Sequence, residues 1–263
     1  MATDTDFAIA KLSMNGVLSN NFGTDGIFTF GFNYLDEAGV AAPVTARSIK
    51  VLADGSIIGS GYTAVASGTG MPVAPILYKI TSAGVLDTAF AEGGLFYETV
   101  LARQTEVYNF AIHGDNIVTA GYGRESGDNN KWISLRFNVN TGVRDTTWGG
   151  AANGAVVFDP SGGDVTNNAR NAIALPDGKT LIIGSSGTGV TQDAAFAVLD
   201  ANGVLDTSYG DGTHTFALGT DTVDHFWGVA VSATHVMIVG YAGQTMQTET
   251  ANDNSFGIVF PIR

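Results

Sequence analysis

Four residues that recur about every 60 positions are the strongest candidates for chemistry in this 263-residue chain. Aligning four similar hairpin segments places Arg47, Tyr108, Arg170 and Phe226 at one equivalent position, and Trp227 follows directly after Phe226. Guanidinium groups bind carboxylates or phosphates through two parallel hydrogen bonds, and aromatic side chains form the walls of small-molecule pockets. The set predicts a binding site for a small, anionic or saccharide-like ligand, or for a surface partner.

A histidine beside this set opens a second interpretation, in which the same place is an active site. Imidazole is a common general base near neutral pH, and His225, Tyr108, Arg47 and Arg170 are then the catalytic set of a hydrolase or lyase. Successive strand residues point to opposite sides of a sheet, so Asp224 is not the expected partner of His225. The sequence contains neither H-E-x-x-H nor G-x-S-x-G, which are motifs of metalloproteases and serine hydrolases. Binding is therefore the first interpretation and catalysis the alternative.

Acidic residues suggest two other interpretations, one for the arginines and one for a metal site. In the first, the arginines are structural and pair with loop acids, for which the candidates are Asp36, Glu37, Asp164 and Asp224. In the second, carboxylates that precede copies of one strand type bind Ca²⁺, and these are Asp4, Asp6, Asp128, Asp193 and Asp253. Ca²⁺ takes six to eight oxygen ligands, but the sequence has no D-x-D-x-D-G loop. The metal therefore stays an open expectation.

Composition excludes several classes of function. The formal net charge is −13 with only 12 Lys and Arg residues, whereas nucleic-acid binding needs clustered basic residues. The absence of cysteine excludes disulfides, thiol nucleophiles and thiolate metal sites. No apolar run approaches the roughly 20 residues of a membrane span, and the first residues lack the basic and apolar regions of a signal peptide. We expect no nucleic-acid partner and no membrane span.

An eight-residue sequence motif, here called the phrase, occurs four times and predicts the strands and turns that position these residues. It reads GVLSNNFG from Gly16, GVLDTAFA from Gly84, GVRDTTWG from Gly142 and GVLDTSYG from Gly203. Its aromatic position holds Phe22, Phe90, Trp148 and Tyr209. Repetition at a fixed period is the signature of a repeat architecture, and we expect the phrase to be a connector whose ring fills the seam between neighbouring sheets.

Each repeat contains four strand-like segments. Two form a hairpin, for which Asp54-Gly55 and Asp177-Gly178 are strong turn signals; the third precedes the phrase and the fourth follows it. The pattern predicts a single all-β domain over residues 1–263, a small propeller of four repeats. The last blade lacks an outer strand, so we expect the N-terminal strand at Gly26–Phe30 to close the ring beside Phe256–Phe260. Five blades are the alternative, and a sandwich or solenoid of repeats is a third option.

The phrase and hairpin together resemble the delta-60 repeat family of bacterial surface and exported proteins. The closest segments are LDTSYGDGTHTF (Leu205–Phe216) and AIALPDGKTLIIGSS (Ala172–Ser186). The resemblance covers almost the whole chain, although the first phrase has Ser19-Asn20 where the second has Asp87-Thr88. It implies a propeller-like fold and an extracellular or cell-surface setting, and it supplies no catalytic motif. Function is expected on the variable loops, away from the Asp-Gly turns.

Overall fold

The computed structural model of the chain describes residues 7–31, 44–63, 73–163, 165–188, 191–209, 211–218, 223–244 and 254–262. These residues form five antiparallel sheets and two single-turn 3₁₀ helices, Trp148–Gly150 and Ala152–Gly154. The prediction of an all-β fold is confirmed. Within the described ranges, no helix combines the length and the apolar character that crossing a bilayer requires.

The strands belong to five sheets, numbered in chain order. Sheet I contains β1 (Phe7–Ala10) and β2 (Ile27–Phe30). Sheet II contains β3 (Val44–Val51), β4 (Ile57–Thr63), β5 (Ala74–Ile80) and β6 (Leu95–Tyr97). Sheet III contains β7 (Gln104–His113), β8 (Asn116–Arg124), β9 (Lys131–Ser134), β10 (Arg136–Asn138) and β11 (Val156–Phe158). Sheet IV contains β12 (Thr166–Ala174), β13 (Thr180–Thr188), β14 (Thr191–Leu199) and β15 (Thr213–Phe216), and sheet V contains β16 (Val223–Val231), β17 (His235–Gln244) and β18 (Asn254–Pro261).

Sheets II, III and IV share the strand order that the repeat predicts. In each, a hairpin is followed by the strand that precedes the phrase and then by the strand that follows it; in sheet III the strand before the phrase is divided into β9 and β10, which both pair with β8. The Asp-Gly turns form as expected: Gly55 has φ +80° and Gly178 has φ +85°, a conformation that glycine adopts without a steric cost. The Asp54 carboxylate also accepts a hydrogen bond from the Ser56 amide at 2.9 Å, which stabilises the first turn.

The expected closure by the N-terminal strand needs correction. Strand β2 pairs with β1 in antiparallel register, from Phe7 opposite Phe30 to Ala10 opposite Ile27. Strand β18 pairs with β17 and with no other strand of the described residues. The local pairing prevails because β1 and β2 are joined by the same phrase connector that joins third and fourth strands in the other sheets, so little loop-closure entropy is lost. Four or five propeller blades remain predictions.

Two compact units make up the chain, one from residues 1–107 with 140–143 and one from 108–139 with 144–263. In the first unit, sheets I and II pack through buried residues that include Phe7, Phe28 and Tyr78. In the second, one core joins sheets III and IV around Trp132 and Trp148. Another joins sheets IV and V. The single-domain arrangement stays a prediction.

The repeated phrase forms a ladder of glycine–aromatic contacts, here called the phrase ladder. Gly84 lies under the Phe22 ring, Gly142 under Phe90, and Gly203 under Trp148, so close that a Cβ added to each glycine would lie only 2.7–3.0 Å from the ring. The residue after each ring donates its amide to the residue before the next glycine: Gly23 to Ala83, Ala91 to Thr141, and Gly149 to Asn202, at 2.7–2.8 Å. All four phrase rings are buried, with Tyr209 the most exposed at 4%. Their predicted packing role is in agreement with this burial.

Candidate functional site

Three of the predicted site positions occupy β-bulges on the first strand of a hairpin. The register shifts between Ala46 and Ser48 in β3, between Ala169 and Asn171 in β12, and between Phe226 and Gly228 in β16. The extra residues are Arg47, Arg170 and Trp227. A bulge bends the strand and re-aims the side chain of the extra residue, and bulges are frequent near functional sites. The equivalent residue of the last repeat is therefore Trp227 and not Phe226.

A glycine on the second strand of the hairpin makes each bulge fit. A Cβ on Gly61 would lie 2.0 Å from the Thr45 carbonyl oxygen, and a Cβ on Gly184 or Gly240 would lie 1.9 Å from the equivalent carbonyl. Real Cβ atoms do not approach backbone this closely, so only glycine lets the bulged strand come this near. The bulges are thus built into the repeat, while the side chain at the bulge differs from sheet to sheet.

In the second unit, Arg170 lies among three aromatic rings. Its Cζ is 4.4 Å from the ring centre of Tyr108, 5.2 Å from that of Trp227 and 5.4 Å from that of Tyr122. The two tyrosine hydroxyls are 3.0 Å apart and hydrogen-bonded. Such cation–π contacts hold a guanidinium in one place. Arg170, Tyr108, Tyr122 and Trp227 therefore form one cluster, here called the arginine cluster.

The Arg170 guanidinium has an unsatisfied donor. Its Nε is buried without a hydrogen-bond partner, and no carboxylate among the described residues forms an ion pair with Arg170. Of the loop acids expected to pair with it, Asp224 accepts hydrogen bonds from the amides of Leu218 at 2.6 Å and Gly243 at 3.0 Å. Asp36, Glu37 and Asp164 lie outside the described residues. Buried polar groups are nearly always paired, so the guanidinium has a hydrogen-bonding capacity that the described residues leave unused.

Two asparagines tie together the first strands of the three sheets that carry the arginine cluster. Asn109 donates from Nδ2 to Asn171 Oδ1 at 2.7 Å, and Asn171 donates from Nδ2 to the Trp227 carbonyl at 3.0 Å. Their Oδ1 atoms also accept the amides of Phe110 and Ala172. Side-chain networks of this kind fix the strands that carry them. The arginine cluster is therefore positioned before any ligand binds.

Trp227 joins the arginine cluster to an open groove on sheet V. The indole is 47% exposed and lines a groove of about 570 Å³ together with Met237, Val239, Tyr241 and Ser255. The groove floor is mainly apolar, and the Tyr241 and Ser255 side chains supply hydroxyl groups. An exposed indole beside hydroxyls and a guanidinium can contact a ring face and hydrogen-bond its substituents.

His225 stacks on Trp227, in a setting unlike that of a general base. The two rings stack with centres 4.9 Å apart, and Nδ1 contacts the Phe226 carbonyl at 2.8 Å. Its Nε2 is buried and has no partner, and the ring is 3% exposed. Burial, together with the positive charge of Arg170, lowers the pKa of His225 to about 3. The ring is therefore neutral at pH 7, and no described carboxylate orients it, so its catalytic role stays a prediction.

The two remaining predicted residues have different surroundings. Arg47 belongs to the first unit, where it is exposed and donates from Nη2 to the Tyr62 hydroxyl at 2.6 Å, with Cζ 5.0 Å from that ring centre. Phe226 is fully buried in the core between sheets IV and V, beside Phe216 and Phe256. Its one-residue offset from Trp227 puts Phe226 on the packed side of the strand, where it contacts no ligand-accessible surface.

Sequence reasoning missed the tyrosines that complete these sites. Tyr62, Tyr122 and Tyr241 each follow a glycine on the second strand of a hairpin, and each contacts the bulge residue or its neighbour. The dipeptide Gly-Tyr at 61, 121 and 240 was the available signal. It occurs in three of the four hairpins, and the hairpin that carries Arg170 has Gly184-Ser185 instead, so the tyrosine beside Arg170 comes from sheet III.

The described residues hold no group of three or more His, Asp or Glu side chains close enough to bind a metal ion. Of the acids that kept Ca²⁺ open, Asp4, Asp6 and Asp253 lie outside those residues. Burial and the nearby Asp224 raise the pKa of Asp193, as expected for a carboxylate with another negative charge nearby. The Ca²⁺ expectation gains no support from Asp128 and Asp193.

A comparison with protein-family models finds no match, and a comparison with curated proteins finds none either.

Proposed function

We propose that this protein is a binding module that takes an anionic, saccharide-like ligand at the arginine cluster. The observation that carries this proposal is the Arg170 guanidinium, which three aromatic rings hold in place while its buried Nε lacks an acceptor. A ligand carboxylate that approaches the guanidinium gains a charge-assisted hydrogen bond, which is stronger than a neutral one. The ligand thereby completes a network that the protein alone leaves incomplete.

The groove beside Trp227 supports a saccharide-like ligand over a bare anion. A sugar ring offers an apolar face to the half-exposed indole and hydroxyls to Tyr241 and Ser255, which line the same groove. Few polar groups in a largely apolar groove fix orientation without needing a deep pocket. A uronic acid combines the ring with the carboxylate that Arg170 lacks.

The fold proposed for this module is a small propeller of the delta-60 type. Its support is the strand order common to sheets II, III and IV, and, within the second unit, the face-to-face packing of III on IV and of IV on V. Propeller blades surround a central channel, and we place the ligand site where the first strands meet. We also carry over from the family resemblance an extracellular or cell-surface setting in a bacterium, where acidic polysaccharides are accessible.

The test is a titration with a uronic-acid oligosaccharide, with its carboxyl-reduced, neutral counterpart as the matched probe. Binding is followed by fluorescence, because Trp227 is half exposed whereas Trp132 and Trp148 are buried. We expect the acidic probe to bind with a dissociation constant that rises with salt, as for any exposed ion pair. Arg170→Met should weaken binding by at least about tenfold, the loss of roughly one charge-assisted hydrogen bond.

The matched control is Arg144→Met. Arg144 lies in the third copy of the phrase, not at a bulge, and donates to the Asn153 backbone oxygen and side chain, so its removal takes away the same charge elsewhere. Equal losses of affinity in both variants would mean that the acidic probe responds only to overall charge. Unchanged binding in Arg170→Met, or equal binding of the neutral counterpart, contradicts the proposed site.

A further inference from the structure

Strand β18 has an outer edge without a strand partner among the described residues. It pairs with β17 along one side, from His235 opposite Pro261 to Ala242 opposite Asn254. Its equivalents β5 and β14 are buried almost throughout, whereas every residue of β18 is exposed or half-buried. Strands β5 and β14 each have an outer strand, β6 or β15, on the side that β18 leaves open among the described residues.

The other sheets indicate the hydrogen bond that such an outer strand makes. In sheets I, II and IV, one amide of the third strand donates to the glycine just before the outer strand: Lys11 to Gly26 at 3.0 Å, Lys79 to Gly94 at 3.3 Å, and Val198 to Gly212 at 3.3 Å. The hairpin registers align Ile76, Ala195 and Phe256, which lie opposite Gly61, Gly184 and Gly240. Counting three residues onward, the equivalent amide in β18 is that of Val259.

The other sheets also indicate which side chains an outer strand sends toward the preceding sheet. In sheet II these are Leu95 and Tyr97, the first and third residues after Gly94, and both pack on the core shared with sheet I. The equivalent space on sheet V is a cavity of about 370 Å³ lined by Phe196, Tyr209, His214 and Phe216 together with residues of β18. Aromatic walls and the absence of charge suit apolar side chains.

The edge also lacks the charged side chains that normally block strand addition, and its one proline, Pro261, is the last residue of the strand. Residues 254–261 read NSFGIVFP and contain no Lys, Arg, Asp or Glu, although proteins commonly protect an exposed edge with charge, especially lysine. Val259 is 62% exposed. An extended peptide that adds to such an edge gains main-chain hydrogen bonds for affinity and side-chain pockets for specificity.

We propose that the β18 edge is a strand-addition site for an extended segment of another polypeptide with glycine followed by apolar residues at its first and third positions. The segment adds antiparallel to β18, its glycine carbonyl accepts the Val259 amide, and its two apolar side chains enter the cavity beside Tyr209 and Phe216. This site is separate from the arginine cluster and does not depend on the ligand proposed there.

The probe is a dye-labelled peptide AEGGLFYET, which copies residues 91–99 of this chain, titrated with the intact protein by fluorescence anisotropy. We expect saturable binding and slower amide hydrogen exchange in β18. The peptide AEGGSFSET, which lacks the two apolar side chains, should bind at least about tenfold more weakly because nothing fills the cavity.

The protein variants are Val259→Pro and Val259→Ala, which both change the side chain while only proline removes the amide hydrogen. Proline is tolerated at an edge position whose N–H faces solvent, and a thermal melt checks that the variant is folded. We expect Val259→Pro to lose about tenfold in peptide affinity and Val259→Ala to bind nearly as the parent does.

Equal binding of both peptides, or of both Val259 variants, overturns the proposal. If Val259→Pro unfolds, the comparison of the two peptides on the parent protein decides alone. Dimers that form without peptide and are lost in Val259→Pro but kept in Val259→Ala would mean that a second copy of β18 fills the edge, which overturns the proposed occupant.

Discussion

Glycine fixes the backbone both in the phrase ladder and at the bulge positions, yet the two regions differ in whether the side chain also repeats. On the ladder, Gly84, Gly142 and Gly203 each support a buried ring of the preceding phrase. At the bulges, Gly61, Gly184 and Gly240 support a backbone distortion whose side chain is Arg in two sheets and Trp in the third. The backbone repeats in both places, but the side chain repeats only on the ladder.

This difference separates stability from function within one repeat. A side chain that must fill the same seam in every repeat has little freedom to vary, since protein interiors are close-packed. A side chain that a bulge directs away from the core varies without loss of packing, and it is in such places that binding residues accumulate. We therefore expect substitutions on the ladder to change the free energy of unfolding and substitutions at the bulges to change binding.

The largest effect is expected for Trp148→Ala, which removes a buried ladder ring. Loss of its contacts in the core between sheets III and IV should lower the free energy of unfolding by about 3–5 kcal/mol, as for other buried aromatic side chains. The matched control is Trp227→Ala at a bulge, where the indole is 47% exposed, and we expect about 1 kcal/mol or less there. Chemical denaturation measures both, and similar costs would abolish the distinction between the two regions.

A second test uses two phrase glycines with similar backbone conformation but different surroundings. Gly203 has φ +86°, and a Cβ there would lie 2.7 Å from the Trp148 ring, whereas Gly16 has φ +76° and open space around it. Gly16→Ala isolates the strain of a left-handed conformation, about 1 kcal/mol. Gly203→Ala adds overpacking and should cost about 2–4 kcal/mol in denaturation experiments. Equal costs would show that the ladder contact contributes nothing.

The sequence predicted well what local chemistry decides. Asp54-Gly55 and Asp177-Gly178 predicted the hairpins because a left-handed turn residue has a strong preference for glycine. The alternation of segments predicted the order of strands within a sheet, and the burial of Trp148 and Tyr209 agrees with the packing expected of the phrase. Each of these features depends on residues within a few positions of one another.

The features that sequence reasoning missed depend on register and on competition between strands. A bulge shifts the pairing by one residue. The sequence alignment therefore put Phe226 at the position that Trp227 occupies in the structure, where Phe226 lies in the core and Trp227 lines the groove. No residue preference at the bulge itself marks that shift; the signal lies across the hairpin, in Gly240. The partner of β2 was misassigned because β1 and β18 have similar sequences, and chain proximity, which composition does not show, favours β1.

A third test follows the pH dependence of stability. The pKa of His225 is lowered from 6.5 to about 3 in the folded protein, so below pH 6.5 the unfolded chain binds a proton that the folded protein does not. Stability is then lost as pH falls from about 6.5 toward 3. Between pH 7.5 and 5.5 the expected loss is about 1.4 kcal/mol for one such histidine.

His225→Asn should remove most of that pH dependence in urea titrations at the two pH values. Burial also lowers the pKa of His113, so a smaller loss of the same sign remains in the variant. His235→Ala is the control, since His235 is exposed at the start of β17. A parent protein whose stability is the same at both pH values contradicts the burial of a neutral His225.

The smallest effect on stability is expected for Arg170→Met, and it is the most informative about the bulge positions. Arg136 and Arg170 both have Cζ 4.4 Å from an aromatic ring centre, Trp148 and Tyr108 respectively. Arg136 also pairs with the Asp145 carboxylate and donates to the Ala201 carbonyl. Arg170 has its three ring contacts and a buried, unpaired Nε. The favourable cation–π contacts and the cost of the unpaired donor are of similar size, about 1–2 kcal/mol each, so they nearly cancel.

Replacement by methionine preserves much of the side-chain volume and removes both contributions. We therefore expect Arg170→Met to change the free energy of unfolding by less than about 0.5 kcal/mol, whereas Arg136→Met should cost about 1 kcal/mol because a hydrogen-bonded ion pair is lost. Parallel urea titrations measure the two variants. An Arg170→Met variant that loses more stability than Arg136→Met would place Arg170 with the ladder as a structural residue. A neutral Arg170→Met leaves ligand binding as the property that this side chain serves.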